Sequence, residues 1–185
     1  MNSIREVIKF YKPKVKEAIN SVSKDYSKLN NEIDNEMAKI ENTEVEIANY
    51  FKEGIQMKSW EDERYWAWAA IVHPSDIYLE YFLRILETND SSFPHWRILD
   101  VLAFMPEDLW YKCREVIESA IESHNPSWCQ EDLKKAFEAR IWIAEENDDL
   151  EFIQQQCESE DTRTADMAKY WIEWLHEDED EDEDD

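Results

Sequence analysis

Glu173 and His176 form the only Glu-x-x-His in the sequence, a carboxylate and an imidazole three residues apart that share one face of a helix. In helical bundles that spacing serves carboxylate-bridged di-iron centres. Such a centre takes two of these motifs and two further Glu, and the second motif is missing. No metal is expected. His73, His95 and His124 each stand beside a proline or one residue from it, so they are expected to cap helices or lie at the surface near turns. None has a Cys or Ser partner at a spacing that nucleophilic catalysis uses. Cys113, Cys129 and Cys157 show no C-x-x-C spacing and are expected to be reduced thiols of a cytosolic protein. With 45 Asp and Glu, no single carboxylate pair carries information about acid–base chemistry. A lone glycine excludes the Gly-rich loops that cradle phosphates. The reading is of a protein without catalytic residues or cofactor, and not an enzyme.

What the residues do specify is helices and the corners between them. Val72-His73-Pro74-Ser75-Asp76-Ile77 closes one apolar run and opens the next, and Phe104-Met105-Pro106-Glu107-Asp108-Leu109 does so 32 residues later. Proline suits a helix's first turn, where its missing N–H costs nothing, and acids there favour the positive end of the macrodipole. Glu146-Asn147-Asp148-Asp149-Leu150 repeats the pattern without the proline. The intervening runs have helix length: Trp60–Val72, Asp76–Glu87, His95–Ala103, Glu107–Ser123, Cys129–Glu145, Asp148–Cys157 and Thr164–Leu175. Leu109, Cys113, Val116, Ala120 and Ile121 make a three-and-four stripe, as do Leu133, Phe137, Ile141 and Ala144. Ile77 to Leu86 is apolar nearly all round, which predicts a central helix. The fold class is all-α, with three helix pairs and a closing helix over residues 59–176.

Residues 1–58 read as a helical hairpin. Ile4, Ile8, Tyr11, Val15, Ala18, Val22, Tyr26 and Leu29 form the seam of one arm, opened by a Ser3/Glu6 capping box and kinked or locally broken at Pro13. Ile33, Met37, Ile40, Ile47 and Phe51 form the other, which is either continuous or broken where Thr43 and Glu46 offer a new cap. Gly54 is expected to take a left-handed C-cap conformation. All nine tryptophans lie between residues 59 and 174; Trp66, Trp68, Trp96, Trp128, Trp142, Trp171 and Trp174 are expected in the core between pairs. Trp110 and Tyr111 follow a corner directly, where an aromatic ring is expected to be half exposed and able to act as an interface anchor.

Charge divides the chain at the same place. Residues 1–58 are neutral, residues 59–176 carry a net −16, and residues 177–185 are nine consecutive acids, for a total of −25. The last stretch has nothing apolar to bury and is expected to be a disordered acidic tail. A negative field of this size repels nucleic acid and membrane surfaces and draws basic proteins. No run approaches 18 apolar residues and no signal peptide precedes the first helix, so neither a membrane span nor secretion is expected.

Helix pairs recurring at about 32 to 41 residues resemble HEAT or armadillo repeats, which stack into a short α-solenoid. A small acidic chain of this type, without an active site, is similar to the immunity proteins of contact-dependent growth inhibition and related polymorphic toxin systems. That resemblance implies a cytoplasmic protein that binds one cognate basic toxin domain, often a nuclease, and occludes its substrate groove. The second helices of such pairs line the binding face. The partner-binding carboxylates are then Asp76, Glu80, Glu87, Asp108, Glu115, Glu118 and Asp149, with Tyr78 and Trp110 as aromatic anchors. Two other readings stay open: a nucleic-acid mimic that inhibits a DNA- or RNA-binding enzyme, and an acidic chaperone or scaffold for basic proteins.

Overall fold

The structure, a computed structural model, describes residues 1–19, 26–88, 94–143 and 149–181; of residues 26, 149, 150 and 176–181 it describes the backbone alone. Among these the secondary structure is helical throughout: ten α-helices and two short 3-10 turns, without a strand. They form two compact units, Met1–Tyr81 and Phe82–Asp185.

In the first unit α1 (Ile4–Ile19), α2 (Tyr26–Met37), α3 (Glu44–Met57) and α4 (Glu63–Val72) precede a 3-10 turn at Asp76–Tyr78. α1 buries Ile4, Val7, Ile8, Tyr11, Val15 and Ala18, a stripe at helical spacing. The helix runs unbroken through Pro13, which sits on the exposed side, where the carbonyl freed by the missing N–H can meet water. The expected long first arm nevertheless ends at Ile19. Tyr26 and Leu29 belong to α2, and Val22 lies outside the described residues.

The second arm is broken at the place where two caps competed. α2 ends at Met37, Asn42 takes a left-handed φ of 55°, and α3 begins after Thr43. All five seam residues, Ile33, Met37, Ile40, Ile47 and Phe51, are buried. Thr43 does not cap α3 with its side chain, and Glu46 is engaged elsewhere. Its carboxylate accepts from the backbone N–H groups of Ile4 (3.0 Å) and Arg5 (3.3 Å), two of the donors that the first turn of α1 cannot satisfy internally. Ser3 Oγ accepts from Glu6 N at 3.2 Å, whereas the Glu6 carboxylate reaches Asn2 N at 2.7 Å, so the predicted box is displaced by one residue on its return side.

The expectation for Gly54 is overturned. α3 continues to Met57, the left-handed residue is Lys58 (φ 49°), and no glycine has positive φ. A Cβ at residue 54 would stand 2.2 Å from Cζ3 of Trp60, so the glycine is there to let the indole lie against the helix. α4 packs on α1, α2 and α3. Trp66 stacks on Tyr50 with ring centroids 4.7 Å apart, Trp68 Nε1 donates to Asp34, and His73 Nε2 meets the Met37 carbonyl at 2.7 Å. Packing thus carries the first unit past residue 58, where the charge changes, to Tyr81.

The division of units falls inside α5 (Leu79–Glu87), after Tyr81. The second unit continues with α6 (His95–Ala103), a 3-10 turn at Glu107–Leu109, α7 (Trp110–Glu122), α8 (Gln130–Trp142), α9 (Asp149–Gln156) and α10 (Thr162–Glu181). Both proline corners are therefore built alike, each a 3-10 turn that runs straight into an α-helix. Of the third corner, residues 146–150, residues 146–148 lie outside the described residues and Asp149 opens the helix that follows, α9. α8 packs against α6, α7, α9 and α10 and is the hub of this unit. Its contacts advance together with those of its neighbours: His95 and Asp100 of α6 face Asp132 and Lys135, and Arg163 and Tyr170 of α10 face Trp128 and Lys134. The three helices run in the same sense.

α5 is apolar but not wholly enclosed, with Phe82, Ile85 and Leu86 buried and Leu83 half-buried. The carbonyls at its C-terminal end are satisfied from the α7–α8 turn. Asn125 Nδ2 donates to Leu86 O (2.7 Å) and Thr88 O (2.9 Å), and Trp128 Nε1 donates to Leu86 O (3.0 Å). α10 extends through Glu181, so five of the nine terminal acids continue a helix rather than a tail; residues 182–185 lie outside the described residues.

Candidate protein-binding surface

The nine residues singled out as partner-binding are divided between the two units. Asp76, Tyr78 and Glu80 belong to the first unit and Glu87, Asp108, Trp110, Glu115, Glu118 and Asp149 to the second. Asp76, Glu80, Glu87, Asp108 and Glu115 are exposed and Glu118 is half-buried; Asp149 opens α9, and its side chain lies outside the described residues.

Of the two aromatic anchors, Trp110 has the expected half exposure and Tyr78 is corrected. Tyr78 is fully buried, and its hydroxyl donates to the His73 carbonyl at 3.0 Å. Burial, and to a lesser degree the Glu44 carboxylate, push that phenol's pKa well above its ordinary value. Trp110 is half-buried and its Nε1 donates to Met105 O at 2.8 Å. Each ring closes a corner by satisfying the carbonyl just before the proline. Aromatic polar tips that are spent in this way leave no handle for a partner.

Glu115 and Glu118 do come together. With Glu122 they form a ridge along α7 at spacings of three and four, and grooves of 400 Å³ and 440 Å³ open on its two sides. In the first groove Arg140 of α8, 3% exposed, donates from Nε to Glu118 Oε1 at 2.6 Å, with its guanidinium 5.7 Å from the Phe152 ring centre. Glu118 is thus held by a buried cation, while Glu115 remains at the surface. Tyr111 lines the same groove, is 65% exposed and hydrogen-bonds to Glu115, which raises the pKa of the phenol. Glu151 stands opposite on α9. The site is a carboxylate ridge with one exposed aromatic ring beside it.

Core placement holds for Trp66, Trp128 and Trp171, and Trp68 is half-buried. It fails for Trp96, Trp142 and Trp174, which are exposed, as are Phe104 and Tyr170. The reason is helical phase. α8 buries Leu133, Ala136, Phe137 and Arg140, so Arg140 occupies a place in the apolar stripe and Trp142 is turned away from it. His95 is also corrected: it is buried, with Nδ1 4.0 Å from the Asp132 carboxylate.

The remaining chemistry is sparse. Among the described residues no three or more His, Cys, Asp or Glu are placed to hold a metal ion, and no helix is long and apolar enough to cross a membrane. The three cysteines are free thiols. In the first unit a cleft of 610 Å³ between α1, α3 and the start of α4 is bridged by Arg5–Glu53 and Lys12–Asp62 ion pairs. No family model, no curated protein and no solved structure matches the chain.

Proposed function

We propose that the chain is a non-enzymatic inhibitor that holds one basic protein on its second unit, in the manner of the toxin-neutralising immunity proteins it resembles in type. The observation that supports this reading is the joint placement of charge and exposed aromatic surface. Residues 82–185 carry a net −21 of the chain's −25, and the α7 ridge sets Glu115 and Glu122 at the surface beside the exposed Tyr111. Carboxylates speed the encounter with a cationic groove, and the aromatic ring supplies the desolvated contact that slows dissociation. In this reading α6/α7 and α8/α9, closed by α10, are stacked pairs of a short HEAT-like solenoid, and the protein acts in the cytoplasm, where its target is made.

The test is co-expression. The wild-type chain is produced together with the product of the adjacent gene, and with an unrelated nuclease toxin as control; rescue of growth is expected for the first only. Equal rescue from both toxins would favour a broad nucleic-acid mimic. Loose binding of many basic proteins, lost on removal of residues 177–185, would favour an acidic chaperone. Absence of toxicity from the adjacent product would remove the immunity reading.

A further inference from the structure

Three exposed aromatic rings of the second unit lie not on the α7 ridge but on α8 and α10. Trp142 is 68% exposed, Tyr170 47% and Trp174 40%. Exposed large rings gathered on neighbouring helices are costly in water and mark contact surfaces more often than chance scatter does. The faces adjoin. Glu131, Lys134, Glu138 and Trp142 run along the exposed side of α8 at spacings of three and four, and Asp166, Tyr170, Glu173 and Trp174 run along α10. Lys134 Nζ stands 6.0 Å from the centre of the Tyr170 ring, and a groove of 580 Å³ lies between the two helices with Leu133 and Met167 in its lining. Between the exposed rings of α10, Trp171 is buried, meets Tyr170 and Trp174 edge-on at 5.5 Å and 5.3 Å, and has no hydrogen-bond partner for its Nε1 among the described residues.

Charge decides what covers this face. A second copy would bring another −25, and anionic lipid or nucleic acid would meet the same repulsion. A cationic segment would be drawn in, and the chain's own Lys134 over Tyr170 illustrates how an ammonium group sits on this surface. We infer that this face of α8 and α10 seats an amphipathic, Lys/Arg-bearing helix of the partner, with its apolar side chains in the groove on Leu133, Met167 and Tyr170 and on the exposed rings of Trp174 and Trp142 beyond it, and its cations opposite Glu138 and Glu173. This rests on the reading that the partner is basic, and it moves the binding energy from the α7 ridge to the aromatic face. α7 then steers and α8/α10 holds.

The probe is a synthetic amphipathic Lys/Leu helical peptide, with oligolysine of equal charge as control, titrated into the full chain at low salt and followed by tryptophan emission and calorimetry. The amphipathic peptide should bind about tenfold more tightly than oligolysine. Replacing both Tyr170 and Trp174 with Ala should remove that tenfold preference, and Trp142→Ala, at a site exposed enough to tolerate it, should weaken binding several-fold; Glu115→Lys should change it less than about twofold. Far-ultraviolet circular dichroism confirms that each variant is folded. Equal affinity for the two peptides, or unchanged binding by the folded Trp142→Ala chain, overturns the inference and leaves the basic-partner reading standing. Failure of both peptides to bind at low salt overturns that reading as well.

Discussion

Tyr78 and Trp110 stand 32 residues apart and close two corners in the same way, each donating from the tip of its ring to the carbonyl five residues back and just before a proline. The phenol reaches His73 O and the indole reaches Met105 O. In both corners the proline ends one helix, a 3-10 turn follows, and the ring four residues on ties the turn to the end of that helix. Tyr78→Phe keeps the ring and deletes the donor, so it should cost about 1 kcal/mol, the net worth of one such bond; Trp110→Phe deletes the donor together with part of a half-buried indole, so it should cost more than that. Urea unfolding measures this. Unchanged midpoints would show the carbonyls to be equally well served by water.

The lone glycine leads to a double-mutant test. Glycine in a helix ordinarily costs about 0.5–1 kcal/mol relative to alanine, yet here the alanine Cβ would meet the Trp60 ring at 2.2 Å. Gly54→Ala should therefore destabilise the wild type by about 1 kcal/mol or more, because Trp60 must leave its seat. In a Trp60→Leu background the same change should be neutral or stabilising. A cycle of four thermal melts reads the coupling, and additivity would exclude steric contact as the reason for the glycine.

Much of the helix plan was legible because corners and stripes are local signals. Pro74 and Pro106 mark real boundaries, and His95–Ala103 was placed to the residue. What was not legible depends on partners distant in sequence. Glu46 is three residues from Thr43 but caps α1, some forty residues away. Arg140 reads as a surface residue until Glu118 and Phe152 are brought against it, and once it is buried the helix phase turns Trp142 outward. Of the candidate surface, Glu115 and Glu118 lie on one ridge because they are neighbours on a single helix, whereas the burial of Tyr78 and the use of its hydroxyl and of the Trp110 indole N–H inside the fold depend on how the corners close.

The Arg140–Glu118 pair gives a third test. Arg140 is 3% exposed, so removal of its carboxylate partner leaves a buried guanidinium short of one charged acceptor. Glu118 is itself part-exposed, which lets water compensate in part, so Glu118→Ala should cost about 2 kcal/mol, below the full penalty for an orphaned buried charge. The loss should appear in urea midpoints. A cost under about 0.5 kcal/mol would mean that Arg140 is held by its other contacts.

Thiol reactivity should rank the cysteines by burial. Cys113 is fully buried on α7, and desolvation pushes its pKa up to about 12; Cys157 is raised in the same direction, chiefly by burial. Cys129 is exposed at the start of α8. With maleimide at neutral pH, mass spectrometry should find Cys129 modified first, Cys157 slowly, and Cys113 only in denaturant. Early labelling of Cys113 would show α7 opening from α8 without global unfolding.

Electrostatic steering gives the last prediction. Residues 1–81 carry a net −4 and residues 82–185 a net −21, so the field that a basic partner meets comes chiefly from the second unit. Steering acts on encounter, before close contacts form, and is screened over about 8 Å at physiological ionic strength. Lysine substitutions at Asp108 and Glu115, both exposed, should slow association several-fold and steepen little of the dissociation. The matching pair at Asp76 and Glu80 in the first unit should have a smaller effect on the same rate. Stopped-flow mixing with the product of the adjacent gene, repeated at two salt concentrations, separates the two rate constants, and high salt should erase the difference between variants. If reversal at Asp76 and Glu80 slows association equally, the first unit shares the docking; if neither pair changes it, the carboxylates serve as solvated helix faces and the binding proposal loses its electrostatic support.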